Sequence, residues 1–569
     1  MRVKRTNRGL ALRAIAGSHV VLLAFDLPEA ECPGLMGFAI HRTDHTEDEA
    51  YWIEGTKTFE KTDPGLPVGS KYATNKHPIQ GFTWSDFTAK PGHRYTYRVQ
   101  AMRGTPEALV KYRQVSVTVT TESEAAGDHD VHFNRGAAAS QEFARRFGAM
   151  ADLRKAPPDD PRWAWLSRGA HEAILAFVAR AEDARWSLRV AAYEFRLDDV
   201  ATALAAARAR GVDVAVLYDA NPNPPDSKGR VFPRDDNRAT AARAGLTASC
   251  IERVTRAGVK TPPISHHKFI VILKDGQPRA VLTGSTNFSV GGVFGQSNVV
   301  HIVEEPPVAA AYLTCWEHMR TNPDHAELRA TLSALNRIPA DKPPRGTTVL
   351  MSPQSSDAAL RWYADRAKTA EGALFMTFAF GMNALFQDAY RNGRAPLRYA
   401  LLDKLLGPGI PKAKVAEAEQ VMKRLRFAKE NRFAVGNRLA TNRFDRWLKE
   451  SLTGLNLHVQ YIHTKFMLID PLGPDPVVVS GSANFSASST TDNDENMLVI
   501  RGNRRVADVY LGEYMRLWNH YAFREWAAKQ TTAPADTAFA HLDVRDKWWR
   551  EYFGDTARSR QRRYFVGAD

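Results

Sequence analysis

The sequence predicts an α/β chain built from two repeated units and preceded by an all-β sandwich domain. Three observations carry that expectation: period-two alternation within residues 1–125, alternating strand and helix from residue 130 onward, and one motif written twice. Residues 462–470 read Ile-His-Thr-Lys-Phe-Met-Leu-Ile-Asp and are followed by Gly-Ser-Ala-Asn-Phe-Ser at 481–486. Residues 265–272 read Ser-His-His-Lys-Phe-Ile-Val-Ile and are followed by Gly-Ser-Thr-Asn-Phe-Ser at 284–289. His266 and His463, Lys268 and Lys465, Gly284 and Gly481, and Asn287 and Asn484 all stand 197 positions apart. A lone His-x-Lys carries no information, but two copies in step with Gly-Ser-x-Asn mark a duplicated site.

The β region comes first. Tyr95, Tyr97, Val99 and Ala101 alternate with polar neighbours, and so do Val115, Val117 and Val119, as half-buried strands do. Asp-Pro-Gly at 63–65 and Lys-Pro-Gly at 90–92 supply turns. The stretch 89–101 resembles the penultimate-strand region of a fibronectin type III sandwich, so residues 1–125 are expected to be an accessory sandwich of that kind. Residues 121–128 are polar and aperiodic, as a linker is.

The first α/β unit is placed at 130–335. Ala-rich residues 201–210 form a helix ended by Gly211, and the apolar run 212–218 is a strand buried on both faces. The Pro- and Asn-rich stretch 221–237 leaves the carboxyl end of that strand, where α/β proteins tend to place ligand loops. Cys315 and Trp316 are expected in the core. A Pro-rich boundary at 336–346 leads to the second unit, 346–530. Its basic, aromatic-bearing insert at 423–449 includes Arg424, Arg426, Arg432 and Arg438, which are candidates for substrate binding or simply a solvated helix face. Residues 531–569 form an aromatic, basic tail expected to pack back onto one of the units.

With 569 residues, 44% hydrophobic and 25% charged, the chain can bury several cores. Three cysteines, Cys32, Cys250 and Cys315, are too few and scattered for a disulfide framework or a zinc knot. No apolar run reaches the ~20 residues of a spanning helix, and the basic start lacks a signal-peptide core. A soluble cytoplasmic protein is the resulting expectation. A formal charge of +14 and a pI near 9.6 favour polyanionic partners, either nucleic acid or an anionic membrane surface.

Strand alternation places His463 and Lys465 on one face, as it does His266 and Lys268, and sends His267 to the other, where it is read as structural. Gly-Ser-x-Asn adds a hydroxyl and a carboxamide at a turn where glycine lets backbone approach a ligand. These groups donate to anionic oxygen, and no carboxylate cluster accompanies them to hold a metal. Two such sets facing each other would set two imidazoles across one phosphate and two ammonium groups on its oxygens. Phosphoryl transfer asks for a nucleophile, an acid for the leaving oxygen, and positive charge at phosphorus.

The paired motifs resemble those of the phospholipase D superfamily: His-x-Lys, four residues, Asp, then Gly-Ser-x-Asn. The second copy matches throughout, with His463, Lys465, Asp470, Gly481, Ser482, Asn484 and, further on, Glu495. The first copy departs twice. Leu273 replaces the Asp, with Asp275 two positions later; Asn298 falls at the Glu position, where Gln296 is an alternative. The resemblance, covering residues 130–525, implies two pseudo-symmetric lobes in an α/β/α/β/α sandwich with the site between them. It also implies metal-independent, cofactor-free catalysis through a phosphohistidine. His266 is then the nucleophile and His463 the general acid, roles that near-symmetry allows to be exchanged. Lys268, Lys465, Asn287 and Asn484 stabilise the phosphoryl oxygens, with Ser285 and Ser482 in support. Glu194, at a strand end, is a candidate for orienting a catalytic group.

Two substrate classes fit. One chain holding both lobes resembles the phospholipid-cleaving branch of the family, although secretion and membrane signals are missing. Net charge and the 423–449 insert suit a nuclease, although small nucleases of the family pair two single-lobe chains. The internal duplication makes a monomer sufficient for a complete site. A catalytically dead polyanion-binding module would have lost a His or Lys, and none is lost.

Overall fold

The structure is a computed structural model that describes residues 1–66, 70–135, 143, 146–147, 153–223, 232–255, 263–336, 338–407, 410–436, 462–530 and 541–567. Two four-stranded antiparallel sheets build the first part. One runs in the order Arg2–Asn7, Leu10–Ala16, Val21–Asp26, Thr83–Asp86. The other runs Ala108–Thr120, Arg94–Thr105, Gly37–Asp44, Glu49–Trp52. Tyr95, Tyr97, Val99 and Ala101 are buried between them with Leu12, Leu23 and Phe25, so the alternation of the sequence is the inward face of a sandwich. The opposite face of Leu10–Ala16 is also buried, because Ala11 and Ile15 pack with Val506 and Tyr510 of the long helix Arg504–Gln530. Arg2 anchors this junction by donating from Nε to Asp508 Oδ1 at 2.8 Å.

Two mixed sheets follow. The first has the order Ala125–Ala126, His129–Phe133, Val299–Val303, Gln277–Gly284, Lys268–Lys274, Trp186–Ala192, Asp213–Asp219, Cys250–Arg253. The second has the order Gly346–Ser352, Glu495–Arg501, Val477–Gly481, Phe466–Ile469, Leu374–Phe378, Arg398–Leu402, Asn431–Val435. Apart from the short first strand, one order repeats the other. Their inner faces share a single core, in which Phe269, Val281 and Val299 meet Phe466, Leu468 and Val478 around Trp316 and Tyr514. The helices Pro306–Arg320 and Arg504–Gln530 lie in this middle layer. Each outer face carries its own core and helices, among them Asp198–Ala209 on the first sheet and Ala358–Lys368 on the second. Asp198–Ala209 forms for local reasons: it is Ala-rich, carries Asp198 and Asp199 in its first turn, and ends before Gly211 at φ 91°.

Two expectations need correction. The tail does not simply return to a lobe. Trp548, Trp549 and Phe553 complete the sandwich core, and Tyr564, Phe565 and Val566 reach the shared core between the sheets. The sandwich leaves an aromatic gap at Phe38 and Phe82, and Trp548 fills it with ring centroids 6.4 and 5.8 Å from those two rings. The His-x-Lys pairs sit at the amino ends of their strands, not within them, since Lys268 opens one strand and Lys465 precedes the other. Residues 224–231 of the 221–237 loop and residues 437–449 of the basic insert, including Arg438, lie outside the described residues.

Candidate active site

Each histidine stands where its strand meets the other sheet. Ser265 bridges Asp494, and Ile462 bridges Ser297. The His266 amide donates to the Asp494 carbonyl at 2.9 Å, and the His463 amide to that of Ser297 at 3.3 Å. Those contacts set the next residue of each segment beside the imidazole. His266 Nδ1 lies 2.8 Å from Glu495 Oε2, and His463 Nδ1 lies 2.9 Å from Asn298 Oδ1. The two rings meet edge to face, with centroids 6.4 Å apart and planes at 76°, both nearly enclosed. Every histidine is therefore oriented by a group from the opposite sheet, a carboxylate in one case and a carboxamide in the other.

The tautomers follow from these partners. When Glu495 is ionised it accepts from His266 Nδ1, and the neutral ring then carries its lone pair on Nε2. Asn298 holds its oxygen toward His463, because its Nδ2 donates to the Gly292 carbonyl at 2.8 Å and Ser285 Oγ donates to the same Oδ1 at 2.8 Å. Asn298 occupies the place for which Gln296 was the alternative. Ser482 accepts from the Asn496 amide at 3.0 Å, bracing the peptide after Glu495.

Lys268 and Lys465 are both buried beside the histidines. Burial brings Lys268 down to about 7 and pushes Lys465 well below the usual lysine range, Lys268 being a further cause for the latter. Burial, then the lysines, lower both imidazoles, whereas burial raises the Glu495 carboxyl to about 7. The Lys465 ammonium and the side-chain oxygens of Asn287 and Asn484 are buried with no hydrogen-bond partner among the described residues. Unsatisfied polar atoms gathered round two imidazoles are the lining of a polar ligand site.

The glycines of Gly-Ser-x-Asn act differently from the expectation. A Cβ on Gly284 would stand 2.2 Å from the Val299 carbonyl oxygen, and one on Gly481 2.2 Å from that of Asn496. What comes close is the neighbouring strand carrying Asn298 or Glu495, not a ligand. Asp470 lies at the far end of its strand, where it accepts the amides of Glu371, Gly372 and Ala373. The first copy lengthens this strand into an Asp-Gly hairpin at 275–276, with φ 51° and 72°. The Asp275 amide bonds the Arg185 carbonyl as the Asp470 amide bonds that of Ala373, so Leu273 costs the first unit nothing at the histidines. His267 turns away, with Nδ1 3.0 Å from Asn496 Nδ2. Glu194 accepts from Ser289 Oγ and Arg196, and it reaches the site as a charge felt by Lys268 and Lys465.

Among the described basic candidates, Arg424, Arg426 and Arg432 are not brought to the histidines. Arg424 and Arg426 close the helix Lys412–Phe427, and Arg432 lies at the amino end of Asn431–Val435, whereas the site is at the carboxyl ends of these parallel strands. Arg426 pairs with Glu525, and Arg432 lies over the Trp518 ring.

The motifs gave no hint of several neighbours. Tyr193 sets its ring 5.1 Å from that of His266 and 5.4 Å from Lys268 Nζ. Asn237 pins the Tyr193 and Asp219 carbonyls, at 3.0 Å each. Asp219 and Asp403 stand close behind the histidine segments. Their available signal was an apolar strand ending in Asp, Val-Ala-Val-Leu-Tyr-Asp and Tyr-Ala-Leu-Leu-Asp.

Fold and site together define a two-sheet α/β protein with one composite His/Lys centre. A family model described as "Cardiolipin synthase, PLD-like domain" matches residues 177–320 and 426–518, one segment around each motif copy. The chain belongs to the phospholipase D superfamily. No curated protein matches its sequence. Among solved structures, polyphosphate kinase from Porphyromonas gingivalis is similar at 12% identity and TM-score 0.35, over 62% of this chain and 50% of that one. This chain thus spans about half of that enzyme's length. Phosphatidylserine synthase from Haemophilus influenzae Rd KW20 is 13% identical with TM-score 0.42, covering 62% of this chain and 85% of its own. The phospholipase D family member Nuc from Salmonella typhimurium is 28% identical with TM-score 0.21, covering 27% and 87%.

Proposed function

We propose that the chain is a metal-independent phosphodiesterase that hydrolyses its substrate through a phosphohistidine on His266, with phospholipid head groups the favoured leaving groups. The observation that carries this reading is the unequal pairing of the two imidazoles, His266 with Glu495 and His463 with Asn298. A carboxylate makes its imidazole the better nucleophile, and a neutral amide leaves its partner the stronger acid.

In the first step His266 Nε2 forms a bond to phosphorus while the bond to the leaving oxygen breaks. The Nε2 proton of His463 goes to that oxygen. In the second step His463 takes a proton from water, the new P–O bond forms, and the P–Nε2 bond breaks. Substrate brings the negative charge that the free site lacks. It restores protons to Lys268, Lys465 and His463, whose burial opposes charge. Lys268 and Lys465, with Asn287 and Asn484 through their Nδ2 groups, then donate to the non-bridging oxygens, each such donor being worth about 3 kcal/mol in the transition state. The lysines occupy the electrostatic role a divalent cation would otherwise take, and they repel one.

The lipid reading is supported by the description of the matched family model. A nuclease is the second reading, favoured by the +14 charge. Choline release from phosphatidylcholine micelles in EDTA supports the first, and degradation of plasmid DNA in EDTA without choline release replaces it with the second. His266→Ala is expected to lower turnover about 10³-fold or more and to abolish acid-labile phosphate trapped on the protein. Full turnover in that variant, or loss of activity to the chelator, would overturn the mechanism.

A further inference from the structure

We propose that Asp219 and Asp403 are a matched pair of positioning residues, each holding the peptide in front of one histidine and so setting how the two imidazoles face the phosphate. The inference rests on the reading of His266 as nucleophile and His463 as acid. Asp219 ends the strand Asp213–Asp219, and Asp403 follows the strand Arg398–Leu402; both side chains are fully buried. Asp219 Oδ2 accepts the Ser265 amide at 2.8 Å, across 46 residues of sequence. Asp403 Oδ1 accepts the Ile462 amide at 3.0 Å, across 59 residues. Ser265 and Ile462 immediately precede His266 and His463. They are also the two residues that bridge to the opposite sheet, at Asp494 and Ser297. Each carboxylate thus grips the peptide through which its histidine is registered against Glu495 or Asn298.

A buried aspartate at a strand end can serve only its own loop. Asp219 does bond locally, receiving the Asn221 amide at 3.2 Å and its Nδ2 at 2.7 Å. In the second sheet Leu405 stands two residues after Asp403, so the side-chain amide that Asn221 supplies to Asp219 has no counterpart at that position. What the two sheets keep in common is the bond to the residue before the histidine. A neutral amide would not reproduce it at Asp219, where three N–H groups converge on two oxygens and an NH2 would oppose at least one. Burying a carboxylate is costly, and here each one is spent on the approach of a histidine.

The two carboxylates serve different chemical steps, which makes the idea separable from a general loss of stability. The test compares Asp219→Asn and Asp403→Asn in the full chain on two diesters. One is bis(p-nitrophenyl) phosphate, whose leaving phenolate needs no acid. The other is the alkyl diester the wild type hydrolyses, phosphatidylcholine or DNA. In single turnover, Asp219→Asn should slow the first step roughly 10–100-fold on both, with KM within about twofold. Asp403→Asn should slow it by a similar factor on the alkyl ester only, leaving the p-nitrophenolate burst near wild type. Asp219→Glu and Asp403→Glu, which keep the charge and displace it, should repeat the pattern if an Asn variant fails to fold. Wild-type rates in both variants, or equal slowing of both on both esters, would overturn the proposal. A wild-type chain inert on every diester would instead sink the phosphodiesterase reading on which it depends.

Discussion

Glu495 and Lys268 are the two groups whose ionisation the free site has to hold in opposite senses. Burial raises the Glu495 carboxyl and lowers the Lys268 ammonium, both to about 7. Below that pH the protonated Glu495 donates to His266 Nδ1, driving the ring proton to Nε2 and removing the attacking lone pair. Above it Lys268 loses the charge that the proposed mechanism sets against the phosphate. The expected kcat/KM profile is a bell centred near pH 7, with the acid limb absent in Glu495→Gln. Bound substrate holds Lys268 protonated, so the alkaline limb of kcat should lie higher than that of kcat/KM. A flat profile across both limbs would contradict this account. His266, Lys268, His463 and Lys465 were legible in the sequence because their types and spacing repeat. Asn298 was legible only as a departure, and its pairing with His463 was not, since that contact spans 165 residues.

The elements around the site are held by close backbone approaches. Gly284 at φ 128° lies against the Val299 carbonyl, the peptide that follows Asn298. A methyl group there must displace that strand, so Gly284→Ala should cost about 3 kcal/mol in urea unfolding and loosen the His463 partner. An unchanged midpoint would show that the strand yields without penalty. Strand alternation was legible wherever one face is buried, as at Tyr95, Tyr97 and Val99. The π-helical turn Gly291–Gly295, whose Gly292 carbonyl accepts from Asn298, had no sequence signature, because its geometry comes from packing against Asn287.

At the scale of the whole molecule, chain ends far apart in sequence close one body. Trp548 sits 8% exposed in the sandwich core, and its Nε1 donates to the Leu35 carbonyl at 2.8 Å. Trp548→Ala should therefore destabilise the sandwich by roughly 3–5 kcal/mol, read as a lower first transition in thermal unfolding, with turnover retained below it. An unaltered melt would mean the tail is dispensable. Both halves of the site lie in one chain, so specific activity should not depend on enzyme concentration. Among the described residues, no helix is long and apolar enough to cross a membrane.

Sequence alone determined the duplicated motif, the His, Lys and Asn residues it repeats and the faces that strands bury, because each is written in local spacing or period. Only tertiary structure decided which histidine meets the carboxylate, that Asp219 and Asp403 stand behind them, and that the basic helix end lies away from the site. Those outcomes depend on contacts between segments 46 to 229 residues apart, fixed by how two sheets share one core, and no local pattern encodes a distance between them.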